Sequence, residues 1–267
     1  MDKLKLIALD IDGTLLNDQK EVSRENREAI RRAERKGIYV ILATGRMYRS
    51  AKNFENLFTS NMPLIAYNGG LIKEFNDGKV IYQNDMPKEM VKPMFKFIKQ
   101  YGFSTNFYID DKLYGDEKNE YIHGYAEYID VPYTKLKEAE IFRYIEERNI
   151  IKMVAFGEEK KLDFFLEKEK EALADKIHLV KSLPFMLEIA NKDVNKGTGL
   201  ATLGNILDIK ASEMMAIGDN MNDEEMLDYV GNPFVVDNGN HLLFNKGYMK
   251  TRSNNQDGVA YAISQFL

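Results

Sequence analysis

Three short apolar runs constrain this chain more than any other feature. LKLIAL (4–9), IYVILA (38–43) and EMMAIG (213–218) are each of strand length and almost entirely Leu, Ile, Val, Met and Ala. Each stops at a polar side chain, Asp10, Thr44 or Asp219, in a turn that contains glycine. A run that is apolar on both faces reads as a buried strand, and such strands belong in parallel sheets covered by helices. The intervening sequence supplies the helices. Ser23 caps the stretch SRENREAIRRAERKG, which sets Ala29, Ile30 and Ala33 on one side and stops at Gly37. LIAYNG (64–69) reads as a further strand, KGTGLATLGNILDI (196–209) and NDEEMLDYVG (222–231) as helices, NPFVVD (232–237) as a strand and DGVAYAISQF (257–266) as the last helix. The expected fold class is α/β, with a doubly wound, mostly parallel sheet as its core.

The texture changes in the middle of the chain. KVIYQN, TNFYID and KLYGD are short strand candidates with tyrosines and turn residues, and NEYIHGYAEYI is a helix candidate. IIKMVAFG reads as a strand and EKKLDFFLEKEKEALAD as an amphipathic helix, and IHLVKS with FMLEIA as a hairpin around Leu183-Pro184. A chain of 267 residues accommodates one large domain or two modest ones. The simplest account is a core formed by residues 1–83 plus 189–267, interrupted by an inserted α+β domain over 84–188.

Composition removes several classes of function. No segment approaches the roughly 20 apolar residues of a membrane helix, and MDKLKLIALD has no signal-peptide pattern. There is no cysteine, so disulfides and thiolate metal sites are excluded, and the expected compartment is a reducing cytoplasm. A net charge of −5 argues against sequence-independent binding of nucleic acid. The three histidines, His123, His178 and His241, are far apart and receive no role.

In a doubly wound sheet the carboxyl ends of the strands face one crevice, where ligands bind. Three strand ends therefore deliver Asp10 with Asp12, Thr44-Gly45-Arg46, and Asp219 with Asp223 to one place. A calcium loop does not explain the acids: starting from Asp10, its obligatory glycine falls on Leu15, and a strand precedes where a helix should. Each acid alone is compatible with a helix cap or turn, but the set together asks for a cation, and hard oxygens of this kind suit magnesium. Lys196 opens a helix, where its charge opposes the macrodipole unless lysine and helix terminus jointly face an anion. Magnesium, lysine, a threonine hydroxyl and backbone N–H groups around an anion describe a phosphoryl site. One carboxylate attacks phosphorus, and the other, pointing away, moves the proton.

DIDGTLL, ATGR, the lone Lys196 and GDNMND, in that order, resemble the haloacid dehalogenase superfamily of phosphatases. More closely, the chain resembles the Cof-type branch with a large α/β (type IIB) cap; YNGG (67–70), LEIANKDVNKG and NNQDGVA extend the match nearly end to end. The resemblance implies that Asp10 is the nucleophile and a magnesium ligand. It makes Asp12 the general acid/base and a ligand through its carbonyl, and Asp219 the third ligand. Ile11, Thr44, Gly45, Lys196 and Asn222 would bind phosphate, and Asp223 would orient the metal site from behind. The long gap between Thr44 and Lys196 places the insertion after the second motif, as in the large-cap type. Two departures stand out: VVDNGN puts Asp237 beside Asn238, and Glu224 follows the Asn-Asp pair.

The expected function is a magnesium-dependent phosphomonoesterase for small phosphorylated metabolites, sugar phosphates first. A hexose-phosphate phosphomutase using the same two aspartates is the nearest alternative. A non-catalytic phosphate-binding or receiver-like protein is the alternative from another class, disfavoured by the chain length and by the intact Asp10 and Asp12. The cap would set specificity, with Tyr108, Tyr114, Tyr121 and Tyr125 as candidate contacts. Oligomeric state is not encoded in any of these features.

Overall fold

Leu6–Leu9 is an interior strand of the first sheet, and all four side chains are fully buried. The computed structural model describes residues 3–59, 61–75 and 77–267. From edge to edge the sheet runs Met249–Lys250, Asn232–Val235, Met214–Gly218, Leu6–Leu9, Tyr39–Leu42, and every pairing is parallel. Side chains alternate between faces. Leu6, Ala8, Ile41, Met214 and Ala216 share one cluster with Leu200 and Leu203 of helix Lys196–Leu207 and Met226 and Leu227 of helix Glu224–Tyr229. Ile7, Leu9, Val40, Leu42, Met215 and Ile217 point the other way and are equally buried. Each such side chain contributes about 1.5–3 kcal/mol relative to exposure, which is why these strands carry no polar residue before their ends.

Helix Arg24–Arg35 begins where Ser23 Oγ accepts the Asn26 N–H at 3.1 Å, and it buries Asn26, Ala29, Ile30 and Ala33. Asn26 is tolerated in this face because its Oδ1 accepts the Ala260 N–H, at 2.8 Å, from the last helix, Gly258–Ser264.

The strand expected within 64–69 forms over Pro63–Ala66 but does not simply extend the parallel sheet. It meets the neighbouring strand in a single parallel bridge, Ala43 with Ile65, and pairs antiparallel with Leu71–Glu74. Together with Val80–Gln83 these make a three-stranded sheet. The YNGG segment is the tight turn that reverses the chain.

The described residues divide into two compact units, Met1–Tyr82 with Asn195–Leu267, and Gln83–Val194. The inserted unit carries its own six-stranded sheet, in the order Ile177–Leu183, Met186–Asn191, Lys152–Phe156, Ser104–Ile109, Lys112–Asp116, Tyr133–Leu136. All its pairings are antiparallel except the last, which is parallel. Helices Lys88–Gln100, Glu138–Glu147 and Glu159–Leu173 cover one face, packing Phe95, Ile145 and Phe165 against Phe107, Met153 and Leu187. Tyr114 belongs to this cluster, Tyr108 and Tyr125 share a hydroxyl hydrogen bond of 2.7 Å, and Tyr121 stacks on Phe156. Among the described residues no helix is long and apolar enough to cross a membrane.

Candidate active site

Asp10 is the first residue beyond strand Leu6–Leu9, and its N–H still donates to Ile217 O at 3.0 Å. The neighbouring strands pair in register with it, Leu9 opposite both Leu42 and Ile217, so Ala43-Thr44 and Gly218-Asp219 end at the same level. The shared carboxyl edge therefore follows from three apolar runs that stop together.

Lys196 is the first residue of its helix and is completely buried. The cap before it, Asn195, accepts the Thr198 N–H at 2.7 Å, while Thr198 Oγ1 accepts the Asn195 N–H at 3.1 Å. This closed box fixes the helix start and aims Lys196 inward. Its Nζ donates to Asp10 Oδ1 and to Asp223 Oδ1, each at 2.5 Å. Burial opposes the lysine charge, but Asp10 and Asp223 more than offset it, and the ammonium is held well above its ordinary pKa. Asp223 Oδ2 also accepts the N–H groups of Asp219 and Asn220, at 2.9 and 3.0 Å. With Lys196 and two amides as partners, Asp223 orients the lysine and its own loop. Close approach here requires Gly218, since a Cβ at that position would lie 2.6 Å from Asp223 Cβ.

Carboxylate oxygens of Asp10, Asp219 and Asp223 lie within 4.8 Å of one another. Asp10 and Asp223 are buried and Asp219 is half-buried, and one lysine cannot balance three carboxylates so placed. Burial, reinforced by the neighbouring acids and opposed by Lys196, raises the pKa of Asp10 well above the carboxylate range. Burial and Asp223 push Asp219 up to about 7, against the hydrogen bond from Thr14. Thr14 Oγ1 donates to Asp219 Oδ1 at 2.9 Å, a contact that the sequence signalled only through the DGT triplet. A compact, largely buried set of hard oxygens with excess negative charge fits a divalent cation of the magnesium type.

Asp12 is placed differently. The segment Ile11–Leu15 is a single wide turn, closed by the Leu16 N–H on Ile11 O at 2.9 Å, in which Gly13 takes φ 81°. This turn buries Ile11 and carries the Asp12 side chain away from the acidic cluster. Arg46 Nε and Nη2 grip the two Asp12 oxygens at 2.7 and 2.5 Å. Asn238 Nδ2 holds the turn from its other side by donating to Gly13 O at 2.8 Å, and the adjacent Asp237 side chain is exposed. Sequence reasoning placed Arg46 near the site without assigning this pairing.

Thr44 Oγ1 accepts the Arg46 N–H at 3.1 Å, and Thr44 is buried. Asn222 Nδ2 donates to Asn68 Oδ1 at 3.2 Å, and the same Asn68 side chain lies directly against Gly45. Asn68 is the second residue that sequence reasoning left without a role. Glu224 pairs with Lys246.

Residues 7–263 match a family model described as haloacid dehalogenase-like hydrolase. The Bacillus subtilis 5-amino-6-(5-phospho-D-ribitylamino)uracil phosphatase YwtE is 31% identical over 290 residues, spanning 99% of this chain and 98% of that protein. The crystal structure of TM0651 from Thermotoga maritima has a TM-score of 0.85 at 32% identity, covering 98% of this chain and 97% of that one. The fold is also that of BT4131, described as a HAD subclass IIB sugar phosphatase, with a TM-score of 0.82 at 22% identity over 98% of both chains. The chain belongs to the haloacid dehalogenase-like hydrolases, and within them it is a Cof-type phosphatase.

Proposed function

We propose that this phosphatase is a magnesium-dependent phosphomonoesterase of small phosphorylated metabolites, with phosphorylated sugars and polyols as its leading substrate class. The observation that carries the reading is the cluster of buried Asp10, Lys196 and Asp223 with half-buried Asp219 at the carboxyl edge of the sheet, with Asp12 turned out of it. YwtE, whose substrate is a phosphoribityl compound, supports the substrate class.

Asp10, Asp219 and the Asp12 carbonyl would hold Mg2+, which when bound neutralises charge on the nucleophile and on the transferring group. The remaining chemistry belongs to side chains. An Asp10 oxygen forms a bond to phosphorus as the bond to the leaving oxygen breaks, and protonated Asp12 gives that oxygen its proton. Water then transfers a proton to Asp12 and attacks the aspartyl-phosphate, releasing orthophosphate and restoring Asp10. Lys196, Thr44, Asn222 and the N–H groups of Ile11 and Gly45 stabilise the phosphoryl charge. Lys196 spans Asp10 and Asp223, so it holds the nucleophile and faces the incoming anion at once. The absence of cysteine and the net charge of −5 support a cytoplasmic protein that engages neither nucleic acid nor membrane.

Phosphate release from a panel of phosphorylated metabolites, with magnesium and with a chelator, tests the proposal. Turnover is expected only with the cation and is expected to vanish in Asp10→Asn while the circular dichroism spectrum is unchanged. Retained turnover in that variant would exclude Asp10 as the nucleophile, and isomerised hexose phosphate without free phosphate would mark a mutase instead.

A further inference from the structure

The turn Tyr67–Gly69 performs no step of the mechanism above, yet its backbone is costly. Tyr67, Asn68 and Gly69 have φ of 52°, 53° and 99°. Left-handed backbone suits glycine and, among other residues, asparagine, and it penalises tyrosine. What the turn gains is position. The Tyr67 N–H donates to Arg46 O and the Asn68 N–H to Thr44 O, both at 2.9 Å. Gly69 lies so close to the cap of the Lys196 helix that a Cβ there would be 2.1 Å from Asn195 O. In front of Gly45 stands the Asn68 amide: a Cβ on Gly45 would meet its Oδ1 at 2.9 Å. That same oxygen accepts a hydrogen bond from Asn222 Nδ2, with 3.2 Å between nitrogen and oxygen.

One turn thus touches the Thr44-Gly45 segment, the start of the Lys196 helix and Asn222. These are the three segments to which the proposed function assigns phosphate binding, and they come from sequence positions far apart. We propose that Asn68 is a positioning residue of the phosphoryl site, orienting the Asn222 amide and fixing the Gly45 loop. This rests on the assignment of Asn222 as a phosphate ligand made above. Asparagine meets both demands of the position. It accepts a left-handed backbone, and it presents an acceptor to Asn222 at the level of Gly45.

The test is a double-mutant cycle on the full chain with magnesium, using Asn68→Gly, Asn222→Ala and the pair. Glycine keeps the left-handed backbone and removes only the amide. The readouts are the Ki of orthophosphate as a competitive inhibitor, KM and kcat for one turned-over phosphoester, and the thermal midpoint. Each single substitution is expected to raise the orthophosphate Ki about tenfold, the scale of one hydrogen bond to a charged group. KM should rise with it more than kcat falls, and the double variant should be no weaker than the worse single. The Asn68→Gly midpoint should stay near that of the wild type, which a purely structural loss would not allow. If Asn222→Ala raises Ki and Asn68→Gly does not, or if the two effects multiply, the positioning role is overturned while the phosphate site stands. An unchanged Ki in Asn222→Ala would instead overturn the ligand assignment beneath it.

Discussion

Asp10 and Asp12 are two residues apart and occupy opposite electrostatic settings. Asp10 is buried beside Lys196 and two further acids, whereas Asp12 is half-exposed in the grip of Arg46. The backbone of the Ile11–Leu15 turn makes the separation, and its positive φ at Gly13 is the one feature that a side chain would obstruct most, since an added Cβ would stand 2.6 Å from Asp219 Oδ2. Lys196 is the residue on which the cluster depends. Replacing it by methionine leaves buried carboxylates without their cation, and breaking a buried pair in this way costs about 3–5 kcal/mol. Chemical denaturation of the chelated Lys196→Met protein should register that loss, and added magnesium should recover more stability in the variant than in the wild type. Strand-end acids and a helix-opening lysine were legible in the sequence because an apolar run marks where each side chain must emerge. The Asp12–Arg46 pair was not, because it depends on the dihedral angles of a turn that no periodicity describes.

Elements were legible where a cap and a periodic face coincide. Ser23 with Ala29, Ile30 and Ala33 specified the first helix, and the stretch read as the Lys196 helix proves to have its own cap, Asn195, and a buried face with Leu200 and Leu203. Helix Lys88–Gln100 was missed, although Val91, Met94, Phe95 and Ile98 repeat at helical spacing and are all buried. It has no side-chain cap and contains Pro93, which ordinarily argues against a helix interior. The proline is tolerated on the exposed side, where water can satisfy the carbonyl that loses its partner. The antiparallel partner of Pro63–Ala66 was missed for a different reason: a buried apolar strand does not declare the direction of its neighbour. Caps also separate stability from function. Ser23→Ala and Asn195→Ala should each cost about 1 kcal/mol of stability. Only Asn195→Ala should also lower kcat/KM, because its helix start aims Lys196, and parallel denaturation and steady-state assays on the two variants check this.

For the whole molecule, the alternation of apolar runs and helices was enough to specify a parallel, doubly wound sheet, while the acids at its edge set how its stability responds to pH and cation. Asp219, raised by burial and Asp223 to about 7, and Asp10, raised by burial and its acidic neighbours, both hold their protons to higher pH in the cation-free fold than a free carboxyl group does. A carboxyl group whose folded pKa is raised contributes stability that is complete below its unfolded pKa, near 4, and is lost as pH rises through the folded value. The chelated protein should therefore lose stability between about pH 4 and pH 7, opposite to the trend for salt-bridged carboxylates. Magnesium reverses the sign of the demand, since it rewards the ionised forms and competes with their protons. Its stabilisation should be small at about pH 5.5 and larger at about pH 7.5, where ionisation no longer has to be induced by binding. Thermal unfolding at both pH values, with chelator and with magnesium, measures the difference. An equal rise in Tm at the two pH values would place the cation away from Asp10 and Asp219.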